Sequence, residues 1–125
     1  MAGLTLDAGA LIAFERGERK VVAIVARALA LGSKLGVPAG VVAQVWRNGR
    51  KQVRLARLLG SRAVEIEVLD DARARAAGQL CGVSRTSDVV DASVVLCARA
   101  RDQGVLTSDA GDLRRLDGSL RIVEI

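Results

Sequence analysis

Apolar residues in this chain fall into short runs, each followed by a longer stretch in which they recur every three or four positions. The first run, "GLTLD", predicts a strand ending in Asp7, and "AGALIAFERG" after it keeps helical spacing up to the stop signal at Gly17. Residues 18 to 31 continue as a second helix, which Gly32 ends. "KLGVP" predicts a brief buried strand, with Pro38 in the first turn of the next helix, "AGVVAQVWRNG". Gly49 separates that helix from "RKQVRLARLLG", where Val53, Leu55, Leu58 and Leu59 form one face and Arg50, Lys51, Arg54 and Arg57 another. "AVEIEVL" alternates as a strand does, and "DDARARAAGQLCGV" is helical. "TSDVVDASVVLCA", residues 86 to 98, opens a further helix with Thr86 or Ser87 as its cap. "GVLTSD" is a strand ending in Asp109, "AGDLRRLDG" a short helix and "LRIVEI" a last strand. Strands alternating with helices predict a parallel sheet covered on both faces, hence an α/β fold.

At 125 residues the chain has the length of one domain, 1–125, with no internal repeat or low-complexity tract. The apolar run at residues 21 to 31 is broken by Arg27 and is too short to span a bilayer, and no signal peptide precedes it. The protein is therefore expected to be soluble and cytoplasmic. Cys81 and Cys97 sit in apolar surroundings without CxxC spacing and read as buried thiols. With no histidine present, composition argues against a structural zinc site and against His-based catalysis. The net charge of +5 favours a polyanionic partner, although a solvated basic surface alone would also produce it.

The chemistry lies in the acids. Ligands of open α/β sheets bind at the carboxyl ends of the strands, so Asp7 and Asp109 meet if their strands are adjacent. Asp88 and Asp91 share one helical face near a helix N-terminus, where the helix dipole tolerates negative charge. Four carboxylates in one pocket repel one another, and some must be protonated unless a cation joins them. A hard divalent ion, Mg²⁺ or Mn²⁺, suits such an all-oxygen donor set. Each acid also has a plainer use: Asp7 and Asp109 as helix N-caps, Asp88 as a first-turn acid. Asp91, past the first turn between Val90 and Ala92, is the hardest to explain without a ligand.

"LTLDAGALIAFERG", "VPAGVVAQVW", "TSDVVDASVVLCARA" and "VLTSDAGDL" resemble, in order and spacing, the motifs of PIN-domain ribonucleases, especially the VapC toxins of bacterial toxin–antitoxin pairs. The resemblance covers essentially the whole chain and implies a three-layer α/β/α fold with a central parallel sheet. By it, Asp7 matches the first acid of the family, Asp91 the acid of its "DA" helix motif and Asp109 the acid after the fourth strand. Asp88 resembles an accessory acid of some members, and Thr107 a hydroxyl position beside the site. The departure is Gln44, where members usually carry a glutamate; an amide brings no negative charge. The implied reaction is Mg²⁺- or Mn²⁺-dependent hydrolysis of RNA, with a homodimer and a cognate antitoxin as partners.

With Phe14 and Trp46 the only aromatics, base stacking is not expected. Arginine contacts to phosphate take its place, and "WRNGRKQVRLAR" is the candidate surface; an ordinary solvated face, or one meeting an acidic antitoxin tail, is the alternative. Three further readings compete. Gln44 motivates a weak or inactive PIN-like protein that binds RNA or antitoxin without cutting. Aspartates at strand ends also fit a phosphotransfer domain, but Lys20, Lys34 and Lys51 all lie early in the chain and Gly9 stands where a dehalogenase-like fold needs a second aspartate. A structural subunit whose acids only cap helices is the last.

Overall fold

A computed structural model describes residues 3–125. Its strands are β1 (Leu4–Leu6), β2 (Leu35–Pro38), β3 (Val64–Glu67), β4 (Gly104–Thr107) and β5 (Ile122–Glu124). Its helices are α1 (Ala8–Glu15), α2 (Arg19–Ala30), α3 (Ala39–Val45), α4 (Val53–Leu59), α5 (Asp71–Ser84), α6 (Val89–Arg101) and α7 (Ala110–Leu116). The strands pair in parallel throughout, in the order β3-β2-β1-β4-β5. The expected α/β architecture is therefore the observed one. β2 and β4 are buried along their whole length, and the partly exposed β3 and β5 form the edges. That division explains why the central strands are apolar runs while "VEIE" alternates.

Chain order reverses between β1 and β4. From β1 the chain steps outward through β2 to β3, then returns to the other side of β1 as β4. Leu4, Thr5 and Leu6 stand opposite Gly104, Val105 and Leu106, so both strands end level and Asp7 emerges beside Thr107. α1 packs against α2, α3 and α4, and α6 against α5 and α7. The core they close with the sheet includes Leu6, Leu11, Val41, Leu55, Val95 and Leu106. At Gly36 a Cβ would come within 2.8 Å of the Gln103 side chain and 3.1 Å of Cys97, so the missing side chain lets α6 lie close on β2. Cys97 is buried there and Cys81 is buried beside Ala77 and Ala92, both as free thiols. No helix among the described residues is long and apolar enough to cross a membrane.

Three boundaries depart from the sequence pattern, each for a side-chain reason. α6 starts at Val89, capped by Asp88 and not by Thr86 or Ser87, because the Asp88 carboxylate accepts the Asp91 N–H at 2.9 Å. Pro38 closes β2 and precedes α3 instead of lying in its first turn. α3 stops at Val45 and α4 begins only at Val53, which leaves Arg50 and Lys51 in the connecting turn. There Gln52 Oε1 accepts the N–H groups of Arg47 and Asn48, and Asn48 Oδ1 accepts that of Arg50. Backbone donors captured by side chains are no longer offered to a helix. The basic residues Arg50, Lys51, Arg54 and Arg57 thus do not form one helical face; Arg54 and Arg57 alone are on α4.

Candidate metal centre at the sheet switch point

A cavity of about 220 Å³ opens where β1 and β4 end, lined by Asp7, Gln44, Asp88, Asp91, Ser108 and Asp109 among others. This is the crevice that the reversal of strand order creates. Asp7 is buried and fully engaged: one carboxylate oxygen accepts the Ala10 N–H at 2.9 Å, and the other accepts the Thr107 hydroxyl proton. Thr107 Oγ1 in turn accepts the Asp109 N–H at 2.8 Å. One hydroxyl thus ties the first acid to the backbone that carries another.

The plainer uses of these acids divide. Asp7 caps α1 and Asp88 caps α6 while both face the cavity. Asp109 holds the N-cap position of α7, yet its side chain makes no capping hydrogen bond. Asp91, expected past the first turn, lies half-buried within the first turn of α6, because the helix begins only at Val89. The tight group is Asp91, Asp109 and Asp112, each offering one oxygen within 4.8 Å of the others. Asp112 was not among the residues singled out from the sequence. The available signal was its spacing: "DAGD" sets Asp109 and Asp112 three apart, as "DVVD" sets Asp88 and Asp91. Gln44, exposed on α3, adds a neutral amide to the lining of the cavity.

Electrostatics follows from this crowding. Burial, reinforced by Asp88 and Asp109, pushes the Asp91 carboxyl up to about 7. Burial also raises Asp7, against the lowering effect of the bonds from Thr107 and Ala10. Desolvation at the rim and then the charge of Asp112 raise Asp109. None of these acids has an arginine or lysine within ion-pair distance among the described residues. Carboxylates whose proton affinity is raised by burial and by one another's charge form an oxygen donor set, and a hard divalent ion fits it.

Fold and cavity together define a class: open, parallel α/β proteins that gather carboxylates where strand order reverses. The PIN domain family matches residues 4–119, and the chain belongs to that family. That membership sets aside the phosphotransfer alternative raised by the aspartates alone. No curated protein matches the sequence. Among solved structures the chain is similar to VapBC2 from Rickettsia felis bound to a DNA fragment from their promoter, at 13% identity and a TM-score of 0.72 over 98% of both chains. It is also similar to FitAB bound to the IR36 DNA fragment, at 19% identity and a TM-score of 0.68 over 97% of this chain and 94% of that one. FitAcB from Neisseria gonorrhoeae superposes with a TM-score of 0.67 at 18% identity, over 97% of this chain and 96% of that one.

Proposed function

We propose that the chain is a VapC-type toxin, a divalent-metal-dependent endoribonuclease that hydrolyses RNA phosphodiester bonds. One observation carries this: Asp91, Asp109 and Asp112 offer oxygens within 4.8 Å of one another at the cavity that Asp7 also lines, and among the described residues none of them has a cationic side chain within ion-pair distance. Asp7, Asp91, Asp109 and Asp112 would hold Mg²⁺ or Mn²⁺, with Asp88 adding charge from the cap of α6. The chemistry supplied by an ion held there would be neutralisation of phosphodiester charge and a lowered pKa for the attacking water. The protein's own part is placement. Thr107 fixes the orientation of Asp7 through its hydroxyl, and the Gln44 amide can donate a hydrogen bond to a phosphate oxygen entering the cavity.

The partners of such a toxin are a second copy of the chain and a small antitoxin, in the cytoplasm. A groove of about 530 Å³ lined by Phe14, Leu29, Val53 and Leu58, with Arg54 and Arg57 beside them, suits an antitoxin segment that combines apolar and acidic residues. A second reading, a PIN-like protein that binds RNA or antitoxin without cutting, is favoured by Gln44, which stands on the cavity wall and brings no charge. RNA cleavage by the purified, antitoxin-free chain separates them. The nuclease cuts in Mg²⁺ or Mn²⁺, stops on chelation, and loses about 100-fold or more in Asp91→Asn. Calorimetric Mn²⁺ binding without cleavage would favour the silent homologue, and no Mn²⁺ binding would sink the metal-dependent mechanism.

A further inference from the structure

The turn between α3 and α4 holds its shape through one side chain. Gln52 Oε1 accepts from the N–H groups of Arg47 and Asn48 at 2.8 and 2.9 Å, while its amide donates to the Val45 carbonyl at 2.8 Å and to both carboxylate oxygens of Glu15 at 3.1 and 3.0 Å. Glu15 is thereby satisfied by a neutral partner. Among the described residues the nearby cations are left unneutralised: Arg50 and Lys51 are exposed with no acid of those residues within 4.0 Å, and the Arg47 guanidinium rests on the carbonyls of Ala43 and Trp46. By contrast Arg73, Arg99, Arg101 and Arg121 each pair with a carboxylate.

At the head of the turn stands Trp46, two residues beyond Gln44 on the cavity wall. It remains 39% exposed, and its ring is braced by Gly49, where a Cβ would come within 2.7 Å of the indole. An indole held against backbone has little freedom to lose on stacking, and exposed cations beside it attract a polyanion.

We infer that Trp46 to Gln52, the turn that follows α3 beyond Gln44, is a preformed grip for single-stranded RNA, with Trp46 stacking on a base and Arg47, Arg50 and Lys51 meeting phosphates. The inference rests on the nuclease reading of the cavity. It also revises the expectation against stacking, since one exposed indole serves one base. Arg54 and Arg57 belong to the apolar groove instead, so the basic stretch divides between two surfaces.

Trp46 is the chain's one tryptophan, so its fluorescence reports this turn directly. The experiment titrates the full chain with a single-stranded RNA dodecamer in EDTA, following Trp46 emission and the anisotropy of labelled RNA over a series of salt concentrations. Saturable quenching is expected. In Arg50→Ala/Lys51→Ala the slope of log K against log salt should fall by about 1.4, at about 0.7 per single-strand phosphate contact. Trp46→Leu should weaken binding about tenfold, and Trp46→Phe should recover most of it. RNA bound without quenching and with an unchanged slope in the double variant would overturn the grip, as would no RNA binding at all. Equal quenching by a polyglutamate peptide would assign the turn to an acidic protein partner and equally overturn it. Because no metal is present, quenching by RNA in a chain that then fails to cut in Mg²⁺ would support the grip while refuting the nuclease.

Discussion

Thr107 joins two acids that lie 100 or so residues apart in the chain, donating to Asp7 and accepting from the backbone of Asp109. Thr107→Val keeps the shape and leaves a buried carboxylate oxygen without its donor. The expected cost is about 1–3 kcal/mol in chemical denaturation, with Asp7 raised further because the lost bond is one that lowers it. Asp91 makes a prediction of opposite sign. Its carboxyl ionises near 3.8 when unfolded and near 7 when folded, so between those values the native state holds the extra proton. By linkage, stability of the metal-free protein falls as pH rises from about 4 to about 7 and then levels off. Thermal melts across that range should show the decline. Asp91→Asn should flatten it and stabilise the metal-free protein at pH 8 by about 1 kcal/mol, a figure reduced for solvent screening at a half-buried site. A steeper decline in the variant would refute the assignment.

Asp88 shows how an element boundary and a site share one residue. As the cap of α6 it needs only an oxygen, while as part of the acidic cavity it needs its charge. Asp88→Asn should therefore retain stability while lowering Mn²⁺ affinity, and Asp88→Ala should lose about 1 kcal/mol in addition. Stability that is equal in the two variants would deny the cap its role. On α3, Gln44→Glu should raise Mn²⁺ affinity in calorimetry and speed RNA cleavage if the position reaches the ion. Unchanged affinity would place Gln44 beyond it. The ends of α3 and α4 differ from the expected break at Gly49 because residues 47 to 52 contain no apolar residue to set a helical period, and Gln52 and Asn48 claim the backbone donors there.

For the molecule as a whole, the proposed metal site would couple metal binding to folding. The acids follow the ends of β1 and β4 or lie on α6 and α7, so an ion they share would bind the folded chain and not the unfolded one. Raising Mn²⁺ should raise the melting temperature progressively, by about 2.7 kcal/mol of added stability at one hundred times the dissociation constant. In Asp91→Asn the effect should largely vanish. A melting temperature indifferent to Mn²⁺ in the parent protein would count against the site.

Local order was written in the sequence. The short apolar runs and helical repeats fixed five strands, seven helices and the α/β class, because each depends on neighbours a few residues away. Asp7, Asp91 and Asp109 stood out for the same reason, as acids at strand ends or inside an apolar helix. Which acids meet was decided by tertiary structure: strand order brings β4 beside β1, and only then do Asp91, Asp109 and Asp112 come within 4.8 Å of one another. The bonds of Thr107 to Asp7 and of Gln52 to Glu15 likewise join residues 100 and 37 positions apart, and no local pattern encodes such distances.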